Sequence, residues 1–242
     1  MSRFVCYLWR VLLAGFAAVA ATTAVILALP HAAAQTCPAS AAGPPPGATQ
    51  KPIGSVSGGT DPDTLWIAVV PNPGPLGGAA RLVGITSAGG AELGPVSIST
   101  ASPLPLQAVV VDAAGNGEHQ LIVDTGRDAQ LFVISGCQIQ QVVDTSGKPF
   151  LFDVGNRQGY GDGVGCSDLG DGRHFVELLP QQEGGQWIVR RTEIVLDGTI
   201  ARIARSDTVA ANSAQDPAVT TAYMISCGDI TMATDGVMQP GY

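Results

Sequence analysis

Few side chains in this sequence are equipped for chemistry. Hydrolysis or group transfer needs a nucleophile, a base and a group that orients it. Beyond residue 34 the only histidines are His119 and His174. Each stands two residues after a glycine, Gly117 or Gly172, that ends an Asp-headed turn, so repetition of a turn explains them better than catalysis does. No G-x-S-x-G elbow, H-E-x-x-H helix, Walker loop or dinucleotide-binding glycine pattern is present. Carboxylates remain, because glycoside hydrolysis needs only two of them several ångströms apart and Asp and Glu stand in most turns. The reading is therefore of a chain that is not an enzyme. Cysteine is the other reactive type. Apart from Cys6, the chain has Cys37, Cys137, Cys166 and Cys227, separated by 100, 29 and 61 residues. With no C-x-x-C pair to organise a tetrahedral zinc, they read as two disulfides of an oxidising compartment, in any of three pairings, and no metal is expected.

The elements that must position these residues follow a leader. Arg3 and Arg10 supply positive charge, residues 11–29 are uncharged and apolar, Pro30 breaks the run, and Ala32-Ala33-Ala34 suits a signal peptidase. A signal peptide over 1–34 is expected, cleaved before Gln35. The run of 19 residues is also long enough for an uncleaved anchor, and either reading exports the rest. Two of the 12 basic residues and none of the 20 acidic ones lie in the leader, leaving ten basic against 20 acidic and a net charge of −10. An acidic surface repels phosphate backbones and anionic lipid, which excludes nucleic acid as a partner and confines membrane contact to an uncleaved leader. Residues 35–60 are rich in Pro, Gly, Ala and Ser and read as a flexible linker, extended at Pro44-Pro45-Pro46.

Gly and Pro together make up 48 of the 242 residues, which demands many turns. Between them lie short runs rich in Val, Ile, Phe and Trp at 65–70, 81–86, 108–111, 121–123, 131–135, 139–143, 175–179, 187–196 and 199–203. None sustains a helical period, so the domain over 61–242 is expected to be all-β. Trp66 and Trp187 read as core residues. Asp197-Gly198 is expected to turn strand 187–196 back into a half-buried strand from Thr199. Asp112 begins Asp-Ala-Ala-Gly-Asn-Gly-Glu-His before one strand. Asp168 begins Asp-Leu-Gly-Asp-Gly-Arg-His before another, and Asp61-Pro62-Asp63 and Cys227-Gly228-Asp229 are fainter copies. Spacings of 51, 56 and 61 residues predict repeated antiparallel β-meanders.

The Asp112 and Asp168 segments resemble the Asp-x-Asp-x-Asp-Gly loops of FG-GAP or VCBS repeats, the blades of integrin-α-like β-propellers. The stretch from Gly136-Cys137 to Gly165-Cys166-Ser167-Asp168 is similar to that of secreted actinobacterial proteins carrying such repeats. The resemblance spans about 105–205 and implies a partial or irregular propeller of about three blades. In that family the loops bind calcium through side-chain oxygens. The positions kept are Asp112 and Asn116 in one loop and Asp168 and Asp171 in the other, while Ala114, Gln120 and Phe175 stand where ligands are lost. The loops are thus degenerate, with Asp112 and Asp168 pinning turns through backbone hydrogen bonds and calcium bound weakly at most. The resemblance also implies a Cys137–Cys166 bridge, which leaves Cys37 with Cys227.

The Gly-rich stretch from Gly155 to Gly163 carries Arg157 and Tyr160, side chains frequent at interaction hot spots, and is the expected recognition loop. The function expected is a secreted, non-enzymatic interaction module at the cell surface or envelope, with an extracellular protein or glycan as partner. The alternative is a secreted glycan-binding or glycan-processing protein on a β scaffold.

Overall fold

The computed structural model describes residues 37, 43–71, 79–155 and 161–241; the expected leader over 1–34 and the recognition residues Arg157 and Tyr160 lie outside them. Three antiparallel meanders follow one another along the chain. The first sheet contains β1 (Thr49–Ile53), β2 (Asp63–Pro71), β3 (Ala79–Thr86) and β4 (Glu92–Ser97) in that spatial order. The middle sheet contains β5 (Gln107–Val111), β6 (His119–Asp124), β7 (Ala129–Ser135) and β8 (Gln138–Gln141), with the short β9 (Leu151–Phe152) also pairing β7. The third contains β10 (Gly163–Asp168), β11 (Arg173–Glu183), β12 (Gln186–Asp197) and β13 (Ile200–Ala211). The tail adds α1 (Pro217–Thr221), a small hairpin of β14 (Ser226–Cys227) and β15 (Ile230–Thr231), α2 (Met232–Asp235) and β16 (Val237–Met238). β16 pairs antiparallel with β5, so the end of the chain becomes a strand of the middle sheet.

The apolar runs explain the stacking. A strand covered on one face alternates apolar with polar, whereas one covered on both faces is apolar throughout. β5 and β6 are of the second kind. Ala108, Val110, Leu121 and Val123 pack with Leu65, Ile67, Val83, Ile85 and Leu93 of the first sheet. Val109, Val111 and Ile122 face the other way, toward Phe152, Val164, Phe175 and Ile194. Burying each such side chain contributes about 1.5–3 kcal/mol, so the doubly covered middle sheet is the main source of cohesion. A smaller cluster of Val189, Ala211, Val219 and Ala222 fixes α1 against the third sheet. Trp66 is fully buried, its indole lying where a Cβ on Gly84 would be and its Nε1 donating to Thr86 Oγ1 at 3.1 Å. Only glycine fits opposite it.

Several expectations need correction. Residues 35–60 are not a linker throughout, because Thr49–Ile53 pairs residue for residue with Asp63–Ile67 of β2. An edge strand needs little apolar content and tolerates Pro52 on its open side, so composition conceals it. Before it, Pro46-Gly47 forms a turn closed by Ala48 N–H donating to Pro45 O at 3.1 Å, in place of an extended proline stretch. The β12–β13 turn is Gly198-Thr199, one residue later than expected, with Asp197 opposite Ile200. Of these two turn residues only Gly198 has positive φ, as in a II′ turn with glycine first. β13 is accordingly more exposed than a half-buried strand, with Ile203 67% exposed. A bulge facing Thr192–Ile194, together with Arg202 and Arg205, blunts this sheet edge against further pairing.

The disulfides also pair otherwise than expected: Cys37 with Cys137 and Cys166 with Cys227. Cys37 and the tail both lie against the meanders, which sequence separation does not reveal. The N-terminal Cys37 reaches the β7–β8 turn, where Gly136 and Cys137 both have positive φ. The tail runs beside β10, with Val164 N–H donating to Met224 O at 3.0 Å, and this carries Cys227 to Cys166. Two bridges are the cysteine chemistry of an oxidising environment.

Candidate functional site

The Asp-headed turns lie between the first and second strands of the middle and third sheets. Asp112 Oδ1 accepts from the N–H groups of Gly115 (2.7 Å) and Asn116 (3.1 Å), and Oδ2 from that of Gly117 (2.9 Å). Gln120 closes the same turn from within: its Oε1 accepts from Ala113 N–H and its Nε2 donates to Glu118 O, both at 3.0 Å. Asp168 Oδ1 accepts from Gly170 N–H (2.7 Å) and Gly172 N–H (3.3 Å). These carboxylates face backbone donors, and Asn116 is turned to Glu118. Among the described residues no group of three His, Cys, Asp or Glu side chains is placed to hold a metal ion. Asp112→Ala is expected to lower the free energy of unfolding by about 1–2 kcal/mol, read from the urea midpoint, because three N–H groups lose one acceptor.

The first sheet closes its equivalent turn from the other side. Buried Asp63, at the start of β2, accepts from Val56 N–H and Ser57 N–H through Oδ2, each at 2.7 Å. The three turns therefore share a device, a carboxylate gathering backbone N–H groups, without sharing its position.

The two histidines do not converge on a nucleophile. His174 is held between carboxylates, Nδ1 at 2.6 Å from Glu193 Oε1 and Nε2 at 2.8 Å from Asp171 Oδ1. Arg205 bonds both Asp171 and Glu193, and its hydrogen bond holds the Asp171 carboxyl below its usual range. His119 lines a separate cleft of about 160 Å³ with Ser135 and Leu196.

At the opposite end of the sheets lies a cavity of about 480 Å³. The start of β5, the end of β6, the segment after β9 and the tail converge there. Val154, Met224, Ile225 and Met232 give it an apolar lining, and Gln107, Asp124, Thr231 and Tyr223 give it polar groups. Burial pushes the Tyr223 phenol above its usual range. Such a volume, mostly apolar with a few polar groups, matches small-ligand sites.

Beside the cavity sits a carboxyl pair. Period two places Asp162, Val164 and Cys166 on one face of the β10 strand line, and Phe175 and Glu177 of β11 lie across from it. Asp162 is 8% exposed and its Oδ1 has no partner among the described residues. Burial first, then Glu177 and Asp153, pushes the Asp162 carboxyl up to about 8. Sequence reasoning missed this pair. The available signal was Glu177 inside the run Phe-Val-Glu-Leu-Leu, on the same strand face as buried Phe175.

Compared with family models, curated proteins and solved structures, the chain matches none.

Proposed function

We propose that the protein is an exported, non-enzymatic binding module, a partial propeller of three degenerate FG-GAP- or VCBS-like blades, that seats an apolar group of an extracellular partner in the 480 Å³ cavity. The observation that carries this reading is the cavity itself: apolar side chains from three separate chain segments enclose one space with polar groups around it. Support for the blades comes from the three consecutive meanders, each with a carboxylate-closed turn between its first two strands.

The test fills the cavity without touching the core. Ala233 of α2 is exposed and lines the space, so Ala233→Trp inserts an indole at little cost to packing. Titration with Nile red, a neutral apolar fluorophore, is expected to show micromolar binding by the wild type and at least about tenfold weaker binding by Ala233→Trp, with the melting temperature unchanged. Equal binding by the two proteins would overturn the assignment.

A further inference from the structure

The hairpin of β14 and β15 carries cavity wall at both of its ends: Ile225 stands just before it, and Thr231 and Met232 at its close. Each strand is two residues long, and a hairpin of that size is at best marginally stable in water by itself. The bridge from Cys227 to Cys166 of β10 ties it down, beside the bond from Val164 N–H to Met224 O. The two sulfurs of this bridge are not equivalent. Cys227 is 3% exposed, whereas Cys166 is only partly buried. Arg173, at the start of β11, brings its guanidinium Nη2 to 2.7 Å from Cys227 Sγ, while the Asp112 carbonyl oxygen lies farther off at 3.8 Å. Two carboxylates share a cleft with Arg173, but Glu118 bonds Asn116, and Glu193 bonds His174 and Arg205. The other bridge lacks such a neighbour: Val56, Leu93 and Ile134 line the cleft around Cys37 and Cys137, and no Lys or Arg among the described residues does.

We infer that Cys166–Cys227 is a thiol-exchange site for a dithiol reductant, that Arg173 is the positioning residue that holds the leaving thiolate, and that opening the bridge releases ligand from the cavity. This rests on the cavity reading above and adds control of that cavity by a redox partner. A thiolate of the dithiol attacks Cys166 Sγ, on the more accessible residue. The new S–S bond forms as the Cys166–Cys227 bond breaks, and the electron pair of the broken bond leaves on Cys227 Sγ. A cation beside the departing sulfur stabilises its thiolate and speeds that departure. The second thiol of the dithiol then attacks the mixed disulfide and displaces Cys166 as a thiolate. The dithiol ends as a disulfide, oxidised by two electrons; the bridge is reduced by two, and the dithiol's two protons pass to the two cysteines. Without the bridge the short hairpin opens locally and withdraws Ile225, Thr231 and Met232 from the wall.

The experiment incubates folded wild type, Arg173→Met and Arg173→Lys with dithiothreitol, quenches by alkylation at intervals and maps both bridges by mass spectrometry, with Nile red fluorescence followed in parallel. Cys166–Cys227 is expected to open about fivefold more slowly in Arg173→Met than in wild type, and within about twofold of the wild-type rate in Arg173→Lys, which keeps a cation. Cys37–Cys137 should open at one rate in all three proteins, and Nile red should leave at the rate at which Cys166–Cys227 opens. Glutathione in place of dithiothreitol tests the order of attack in wild type alone, should Arg173→Met fold poorly: the trapped adduct should map to Cys166. The inference is overturned by an adduct on Cys227, by equal opening of Cys166–Cys227 in wild type and Arg173→Met, by an Arg173→Lys rate as low as that of Arg173→Met, or by Nile red retained after that bridge has opened. If Nile red binds none of the proteins, the cavity reading fails while the exchange rates and the glutathione adduct still decide the exchange site.

Discussion

Removing either disulfide by paired Cys→Ser substitution is expected to destabilise the protein by about 4 kcal/mol, lowering the melting temperature by roughly 10 °C. The bridges close segments of 100 and 61 residues, and loop-closure entropy in the unfolded chain grows only slowly with length, so the two losses should be similar. Together they approach the whole stability of an ordinary domain, about 5–15 kcal/mol, and the doubly substituted protein should be unfolded or nearly so at 37 °C. Their local effects should differ. Cys166–Cys227 secures the tail that contributes Met224, Ile225 and Met232 to the cavity, so its loss should abolish Nile red binding well below the global melting temperature. Cys37–Cys137 secures the residues before β1, and its loss should leave binding intact in the protein that remains folded. Differential scanning calorimetry with and without reductant reads the first effect, and fluorescence titration of each variant the second. A melting temperature indifferent to reductant would contradict the role given to the bridges. Peptide mapping without reductant should recover Cys37 joined to Cys137.

Stability should fall as pH rises from about 5 to about 8, the reverse of the usual behaviour of a carboxylate. In the folded chain Asp162 keeps its proton up to about 8, while in the unfolded chain it ionises near 3.8. Between those values the folded state binds one proton more than the unfolded state, so each step up in pH favours unfolding. The contribution is complete below the unfolded value and is spent once pH passes the folded one. Its size is on the order of 3–5 kcal/mol. Asp162→Asn removes the titrating proton and should unfold at higher urea than wild type at pH 8, with little difference at pH 4. On the acid side other carboxylates set the limit. Asp171 is held low by Arg205, Asp207 by Arg191, and Asp216 by the N–H groups of Asn212 and Ala218; what they contribute is present above the ordinary carboxylate range and is lost as pH falls. The optimum should therefore lie near about pH 5. Urea midpoints across pH 4–9 test this, and a wild-type midpoint that rises steadily from pH 5 to pH 8 would rule out a protonated Asp162.

Much of the architecture is legible from residue patterns. The uninterrupted runs Ala-Val-Val-Val and Leu-Ile-Val mark strands covered on both faces, and they are the strands of the middle sheet. The Asp-headed turns mark where one strand hands over to the next, since a short carboxylate followed by glycines is suited to collecting backbone N–H groups. β1 stayed hidden because Thr-Gln-Lys-Pro-Ile makes its case through backbone hydrogen bonds to β2, which any residue but proline can offer. The turn after β12 slipped by one residue because Asp-Gly and Gly-Thr both suit a two-residue turn, and the choice between them depends on which face of β13 the neighbouring sheet leaves open.

Local sequence determined the strands, the turns and the faces to be buried, because backbone sterics and apolar periodicity act within a few residues. The tertiary structure alone decided the cysteine partners, the cavity and the unshared oxygen of Asp162. Gln107, Val154 and Met224 meet in one wall only after the tail has folded back along β10 and β5, whereas Asp162 and Glu177 come to one face through the register of β10 on β11. Disulfide formation, enclosure and proton affinity all depend on distance through space and on exclusion of water, and separation along the chain determines neither.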